Sequence, residues 1–302
     1  MQRSLTLIVL LIISTLSMQA TAMAARFALV IGNADYDSST LAPLNNPANE
    51  AVLISDSLRK AGFEVTMIVD ADLRAMKKAI KKFGTSLAGA GSETTALFYF
   101  SGHGFQANNL NYLAPIGADL EDEVDAEFEA LSVDWVLARL ERYNKGANIV
   151  LLDACRNTAL SRAVGGSSQG LTLLSKTPIG SFISYSTAPG STATDGTGLN
   201  SPYTAAIARE IIQPGVSIEQ AFKKVRRSVV EETAGKQVPW DYSSLTADIV
   251  FVPSTDLVAI AKLQGVADST VIQAELQFWN DVKNSGIPES LQAYLVQYPN
   301  GV

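Results

Sequence analysis

The stretch ANIVLLDACRN, residues 147–157, decides the fold. It runs through apolar residues without polar alternation and ends in an aspartate, Cys155 and an arginine. A strand that is apolar on both faces belongs to a sheet covered by helices on both sides. Cys155 is the only cysteine in 302 residues. A buried inert thiol, an intermolecular bridge and a reactive nucleophile are the three readings open to it.

Outward from this stretch the pattern repeats. FALVIGN (27–33), FEVTMIVD (63–70), TTALFYFSGHG (94–104) and GSFISYST (180–187) read as further strands. Between them lie helical patterns. Asn46-Pro47 supplies an N-cap and a first-turn proline, and that helix stops at Ala61-Gly62. LRAMKKAIKKFGTSL (73–87) is an amphipathic basic helix, and LSVDWVLARLERY (131–143) another helix. Two more helices are expected near 202–212 and 217–233, with a last strand pair inside 238–253. Strands alternating with helices of this length predict an α/β fold, a mostly parallel sheet between two helical layers. Ligands in such sheets bind beyond the carboxyl ends of the strands, where both SGHG and DACRN fall.

Composition narrows the class. With 47% hydrophobic and 18% charged residues the chain is an ordinary globular protein. A net charge of −7 excludes a nucleic-acid binder built on a basic face. Residues 1–25 read as a signal peptide: Arg3, an apolar run from Leu5 to Met18, then Ala22 and Ala24 before a cleavage point. An uncleaved N-terminal anchor is the alternative. Export to the periplasm or medium is expected, with no membrane contact beyond that segment. Residues 26–253 form the main domain and 254–302 a helical appendage that stops at YPNGV as a truncated segment would. A monomer is expected.

His103 is the only histidine, as Cys155 is the only cysteine, and they end two strands of one sheet. Singly, a histidine in a glycine turn is a turn residue and a cysteine on an apolar strand is core filler. Neither reading explains why both sole copies reach the same sheet edge. Together they make a thiol nucleophile and the imidazole that activates it. The backbone N–H groups of Gly104 and Cys155 are candidates for an oxyanion hole. One His and one Cys fall short of a zinc site, so no metal is expected there.

GHG (102–104) followed 52 positions after His103 by the cysteine of Ala-Cys-Arg resembles the caspase-type signature. The chain resembles caspase-like cysteine peptidases of the bacterial metacaspase branch, the orthocaspases. The similarity runs from FALVIGN to about Phe251 and includes YFSGHG, LLDACRN, ISYSTAPG, DGTGLNSPYT, VRRSV and QVPWDYSSL. It implies a caspase-like three-layer sandwich with a central six-stranded sheet. It also implies His103 as general base and acid, Cys155 as nucleophile, and peptide hydrolysis through an acyl-enzyme. Cleavage after Arg or Lys follows from the same resemblance, with Asp153, Ser101 and Glu50 carried over as substrate-binding residues. Here Asn49-Glu50-Ala51 departs from the family's Asn-Asp-Ala, which bears on pocket depth.

Glu50 also suits a helix first turn on dipole grounds alone, and Asp153 could serve a neighbouring loop. The partners implied are proteins or peptides with basic residues. Calcium is the one cofactor the resemblance raises. The acidic run ADLEDEVDAEFE (118–129) lacks EF-hand spacing and reads as a solvated face. Arg156, Arg162 and Lys176 make the loop 156–178 a candidate self-cleavage site. Two rivals remain: a catalytically silent caspase-fold scaffold, and another hydrolase that uses the same dyad with a differently charged pocket.

Overall fold

In chain order the elements are β1 (Arg26–Gly32), α1 (Pro47–Lys60), β2 (Glu64–Val69), α2 (Leu73–Ala88), β3 (Thr95–Ala107), β4 (Leu110–Leu113), α3 (Asp125–Glu129), β5 (Leu131–Ser132), α4 (Val133–Tyr143), β6 (Ala147–Cys155), β7 (Ser181–Tyr185), α5 (Pro202–Glu210), α6 (Ile218–Glu232) and β8 (Trp240–Ser243). The computed structural model describes residues 24–38, 40–155 (Cys155 through its backbone), 171–172, 178–189, 191, 193, 196, 198–254, 279 and 294. The central sheet has the order β2-β1-β3-β6-β7-β8. All neighbours in it are parallel except β7 and β8.

Alternate residues of the central strands supply the two cores. Leu97, Tyr99, Ile149, Leu151 and Phe182 face the layer of α1, α5 and α6. Phe98, Phe100, Val150, Leu152 and Ile183 face α2 and α4. A side chain buried this fully contributes about 1.5–3 kcal/mol, which explains why the strands carry no polar alternation. The expected cap at Asn46 is not made: that residue is itself in helical conformation and its side chain caps no N–H of α1, so Pro47 alone marks the start. Four other helices are capped by side chains. Asp72, Ser132, Ser201 and Ser217 each accept a backbone N–H at the start of α2, α4, α5 and α6.

Three further expectations need correction. The strand at 94–104 continues to Ala107 and turns through Asn108-Asn109 into β4. Both turn asparagines have positive φ (50° and 61°), as a tight two-residue hairpin turn requires. The helix expected from 131 starts at Val133, because Leu131 and Ser132 pair with β4 as β5. Within 238–253 only β8 joins the sheet; Val250 makes a single bridge with Ser217. β4 and β5 add to the six-stranded path, and a third small core of Tyr36, Leu41, Phe105, Tyr112 and Leu120 packs around the hairpin.

The start of β1 is fastened to the end of the domain. The Arg26 guanidinium donates to the carbonyls of Ala61 (2.9 Å), Val250 (3.1 Å) and Phe251. Phe63 meets Phe251 edge-on at 4.9 Å between ring centres. After residue 254, Trp279 and Tyr294 are described; their rings lie 5.0 Å apart and Tyr294 is buried. Among the described residues no helix is long and apolar enough to cross a membrane.

Candidate active site

β3 and β6 run in regular register through Ser101 opposite Asp153, and then the register shifts. The next pair is Gly104 opposite Cys155, so β3 spends one more residue than β6 over this interval. Such a bulge bends a strand and re-aims a side chain. His103 sits inside it. Strands in a sheet lie about 4.8 Å apart, so the bulge brings the backbones of His103 and Cys155 together on adjacent strands.

The flanking glycines are required by close packing. Gly102 has φ +157°, and a Cβ there would lie 2.6 Å from the Tyr36 hydroxyl and 2.8 Å from the Phe100 ring. A Cβ on Gly104 would overlap the carbonyl oxygen of Ala154 and sit 2.8 Å from its Cβ. Gly104→Ala must therefore push β6 away from β3 beside Cys155. A loss of about 1–3 kcal/mol in unfolding free energy is expected, as for other overpacked sites, and a denaturant titration measures it. A midpoint unchanged from wild type would show that the strands yield without cost.

His103 is buried and held on three sides. Its Nε2 lies 2.7 Å from the carbonyl oxygen of Ala42. A carbonyl only accepts, so Nε2 carries the proton and the neutral ring has its basic lone pair on Nδ1. The Tyr36 ring tilts against the imidazole at 4.6 Å between centres. The Tyr36 hydroxyl accepts the His103 N–H (3.1 Å) and donates to the Ala114 carbonyl (3.0 Å). Tyr36 and the Ala42 carbonyl were not singled out from sequence, and only the two positive-φ-tolerant glycines hinted at a crowded backbone here.

Two carboxylates lie behind the edge, Glu50 from α1 and Asp153 from β6, both with 0% exposure. Ser201, the N-cap of α5, joins them: its N–H donates to Glu50 Oε1 (2.8 Å) and its hydroxyl to Asp153 Oδ2. Ser101 donates its hydroxyl to Glu50 Oε2. Thr204 Oγ1 donates to Asp153 Oδ2 (2.8 Å), so the Tyr99 hydroxyl, 2.6 Å away, must donate to Thr204. Burial first, and then the charges of Glu50 and Asp153, push the Tyr99 phenol well above its usual range, which keeps it a donor. Asp153 Oδ2 thus accepts two hydroxyls, while Oδ1 is buried with no hydrogen-bond partner among the described residues. The N-cap of α5 thus lies against both acids, where the positive end of the helix dipole favours their negative charge.

The sequence-chosen residues therefore gather at one edge: Ser101 and Asp153 as a cross-strand pair, Glu50 bonded to Ser101, His103 and Gly104 at the bulge, and the Cys155 backbone beside them. Ser201 and Thr204 were missed; the Ser-Pro pair announces a helix start but not its target. Among the described residues no three His, Cys, Asp or Glu side chains converge as metal ligands. In the acidic run, Asp122 and Asp125 accept backbone N–H groups of their own turn. Residues 156–170 and 173–177, with Arg156, Arg162 and Lys176, lie outside the described residues.

Residues 25–250 match the caspase domain. The chain belongs to the caspase-domain family. No curated protein gives a significant match. Membership makes this a caspase-type domain of the cysteine-peptidase class, and its fold is the caspase-like α/β sandwich.

In this caspase domain Ser201 carries two duties, capping α5 through Thr204 N (3.0 Å) and holding Asp153. Ser201→Ala should cost about 1 kcal/mol of stability through the lost cap. It should also weaken peptide hydrolysis by raising KM, and Ser201→Thr should restore both. A thermal melt alongside steady-state kinetics checks this. A stability loss with unchanged KM would confine Ser201 to capping.

Proposed function

We propose that the chain is an exported cysteine endopeptidase of the metacaspase branch that cleaves after Arg or Lys. Cys155 is the nucleophile. His103 Nδ1 takes the thiol proton, and the thiolate attacks the substrate carbonyl. The backbone N–H groups of Gly104 and Cys155 stabilise the oxyanion. His103 then returns the proton to the departing amine, and water hydrolyses the acyl-enzyme. Ala42 fixes the ring tautomer through Nε2, and Tyr36 holds the ring and backbone.

The observation that carries the reading is the register of β3 on β6, which sets Gly104 against Cys155 and Ser101 against Asp153. For specificity the support is Asp153, whose unpartnered Oδ1 lies two residues before the nucleophile. A buried carboxylate oxygen needs a cationic or donor partner, and a guanidinium or ammonium at the cleaved residue provides it. Protein or peptide substrates rich in basic residues follow.

The test is a panel of fluorogenic peptides with Arg, Lys or Asp before the scissile bond, assayed with and without calcium. Hydrolysis of the Arg and Lys members alone is expected. Cleavage after Asp would keep the peptidase and overturn the pocket. Silence across the panel in both conditions would favour a scaffold role for the fold.

A further inference from the structure

Helix α2 is the most basic element of an acidic chain. Its 16 residues carry Arg74, Lys77, Lys78, Lys81 and Lys82 and no acid. The four lysines are exposed, and none has an ion-pair partner among the described residues. A helix that merely needed solubility would leave a smooth surface around such a stripe. Here clefts open on both sides. Between α2 and α4 a cleft of about 330 Å³ is lined by Lys77, Lys81, Trp135, Arg139 and Tyr143. The Arg139 guanidinium lies 4.8 Å over the Trp135 ring. Between α2 and β2, the edge strand of the described sheet, a wider cleft of about 690 Å³ has an apolar floor that includes Ile68, Ala79 and Ile116, with Lys78 and Lys82 at its rim.

This ridge asks for a partner that is acidic and carries apolar side chains. The chain itself holds such a segment. Val124 (61% exposed) and Phe128 (68% exposed) stand four residues apart at and beside α3. Glu121, Glu123, Glu127 and Glu129 surround them, with no ion pair among the described residues. Exposure alone is not the argument, since Ile179 and Leu199 are more exposed. What distinguishes Phe128 is its acidic frame, matched in sign by the lysines and in character by the Trp135 and Tyr143 rings. Asp122 and Asp125 pre-shape the segment by accepting the N–H groups of Glu121, Asp122, Val124 and Asp125.

We infer that the α2 ridge is a docking surface for the acidic segment 119–129 of a second copy of this chain. Each copy carries both surfaces, so a reciprocal pair of contacts closes a two-fold dimer and a single contact leaves both copies open to further addition. This replaces the expectation of a monomer. The association is electrostatic and apolar in equal part and falls with added salt.

The experiment follows mass against concentration by sedimentation equilibrium on the full chain. All proteins carry Cys155→Ala so that self-cleavage cannot alter the mass. The parent should associate with a Kd of about 10–100 μM, the range of small transient interfaces, and at least about tenfold more weakly in 0.5 M salt. Lys77→Glu with Lys81→Glu should abolish association, and so should Glu121→Lys with Glu127→Lys. Mixing these two variants should restore it, because each then meets an opposite charge. Phe128→Ser, at an exposed site that leaves the core intact, should weaken it. A parent that stays monomeric at low salt would overturn the proposal. So would association that the mixture fails to restore, or a monomer whose ridge instead binds anionic vesicles or a single-stranded oligonucleotide.

Discussion

Alanine at Cys155 should remove hydrolysis of Arg and Lys peptides, with kcat/KM falling at least about 10³-fold, as when a nucleophile is deleted from an acting pair. The reason is chemical rather than structural. Cys155 closes a strand whose neighbours Val150, Leu151, Leu152 and Ala154 carry the packing at 0% exposure. Loss of one sulfur at the strand end leaves that core in place, so the thermal midpoint should stay near wild type. On the proposed mechanism His103→Ala should cost nearly as much as the cysteine change, and the double variant little more than either, since both changes interrupt the same proton transfer. Active-site titration with a thiol-reactive peptide checks this independently: labelling should be lost with Cys155→Ala and strongly slowed with His103→Ala. Full turnover by the Cys155→Ala protein would assign the chemistry elsewhere.

Asp153→Asn is the second large effect. The substitution keeps the shape, and the asparagine oxygen can still accept the hydroxyls of Ser201 and Thr204. It removes the charge a basic substrate side chain would meet and puts an N–H₂ in its path. Breaking one side of a buried ion pair costs about 3–5 kcal/mol, or roughly 10²–10⁴-fold in kcat/KM for the Arg peptide. Stability should move the other way or not at all, because a carboxylate at 0% exposure with Oδ1 unpartnered strains the unliganded fold. Steady-state kinetics and a melt on one preparation measure both. Equal losses in activity and midpoint would make Asp153 a structural residue only.

The parallel sheet and its helices were legible because their signal is local. Strands apolar on both faces, such as FALVIG and NIVLL, admit few other environments. The caps were less legible: Asn46 was expected to cap α1 and does not, whereas Asp72, Ser132 and Ser217, not singled out, do cap their helices. The β3–β4 hairpin was not legible, although Asn108-Asn109 is its mark, because TTALFYFSGHG looks complete as a strand and the glycines hide its continuation. The bulge at 102–103 depends on where β6 places Cys155, which no stretch of β3 encodes. Glu50 is similar. A carboxylate in a first turn is ordinarily solvated, and its burial follows from the docking of α1 against β1 and α5. Ser201 announces a cap in sequence; that its hydroxyl also reaches Asp153 is set by a contact spanning 48 positions.

The Arg26 clasp has an architectural consequence. It closes the domain at the amino ends of the parallel strands, whereas His103 and Cys155 lie at their carboxyl ends, with β1's 7 residues between the two levels. At the usual rise per residue that is about 20 Å of sheet. Residues 24–26 and 250–251, the two ends of the described domain, therefore meet on the floor of the sheet, one full strand length away from the roof where His103 and Cys155 lie.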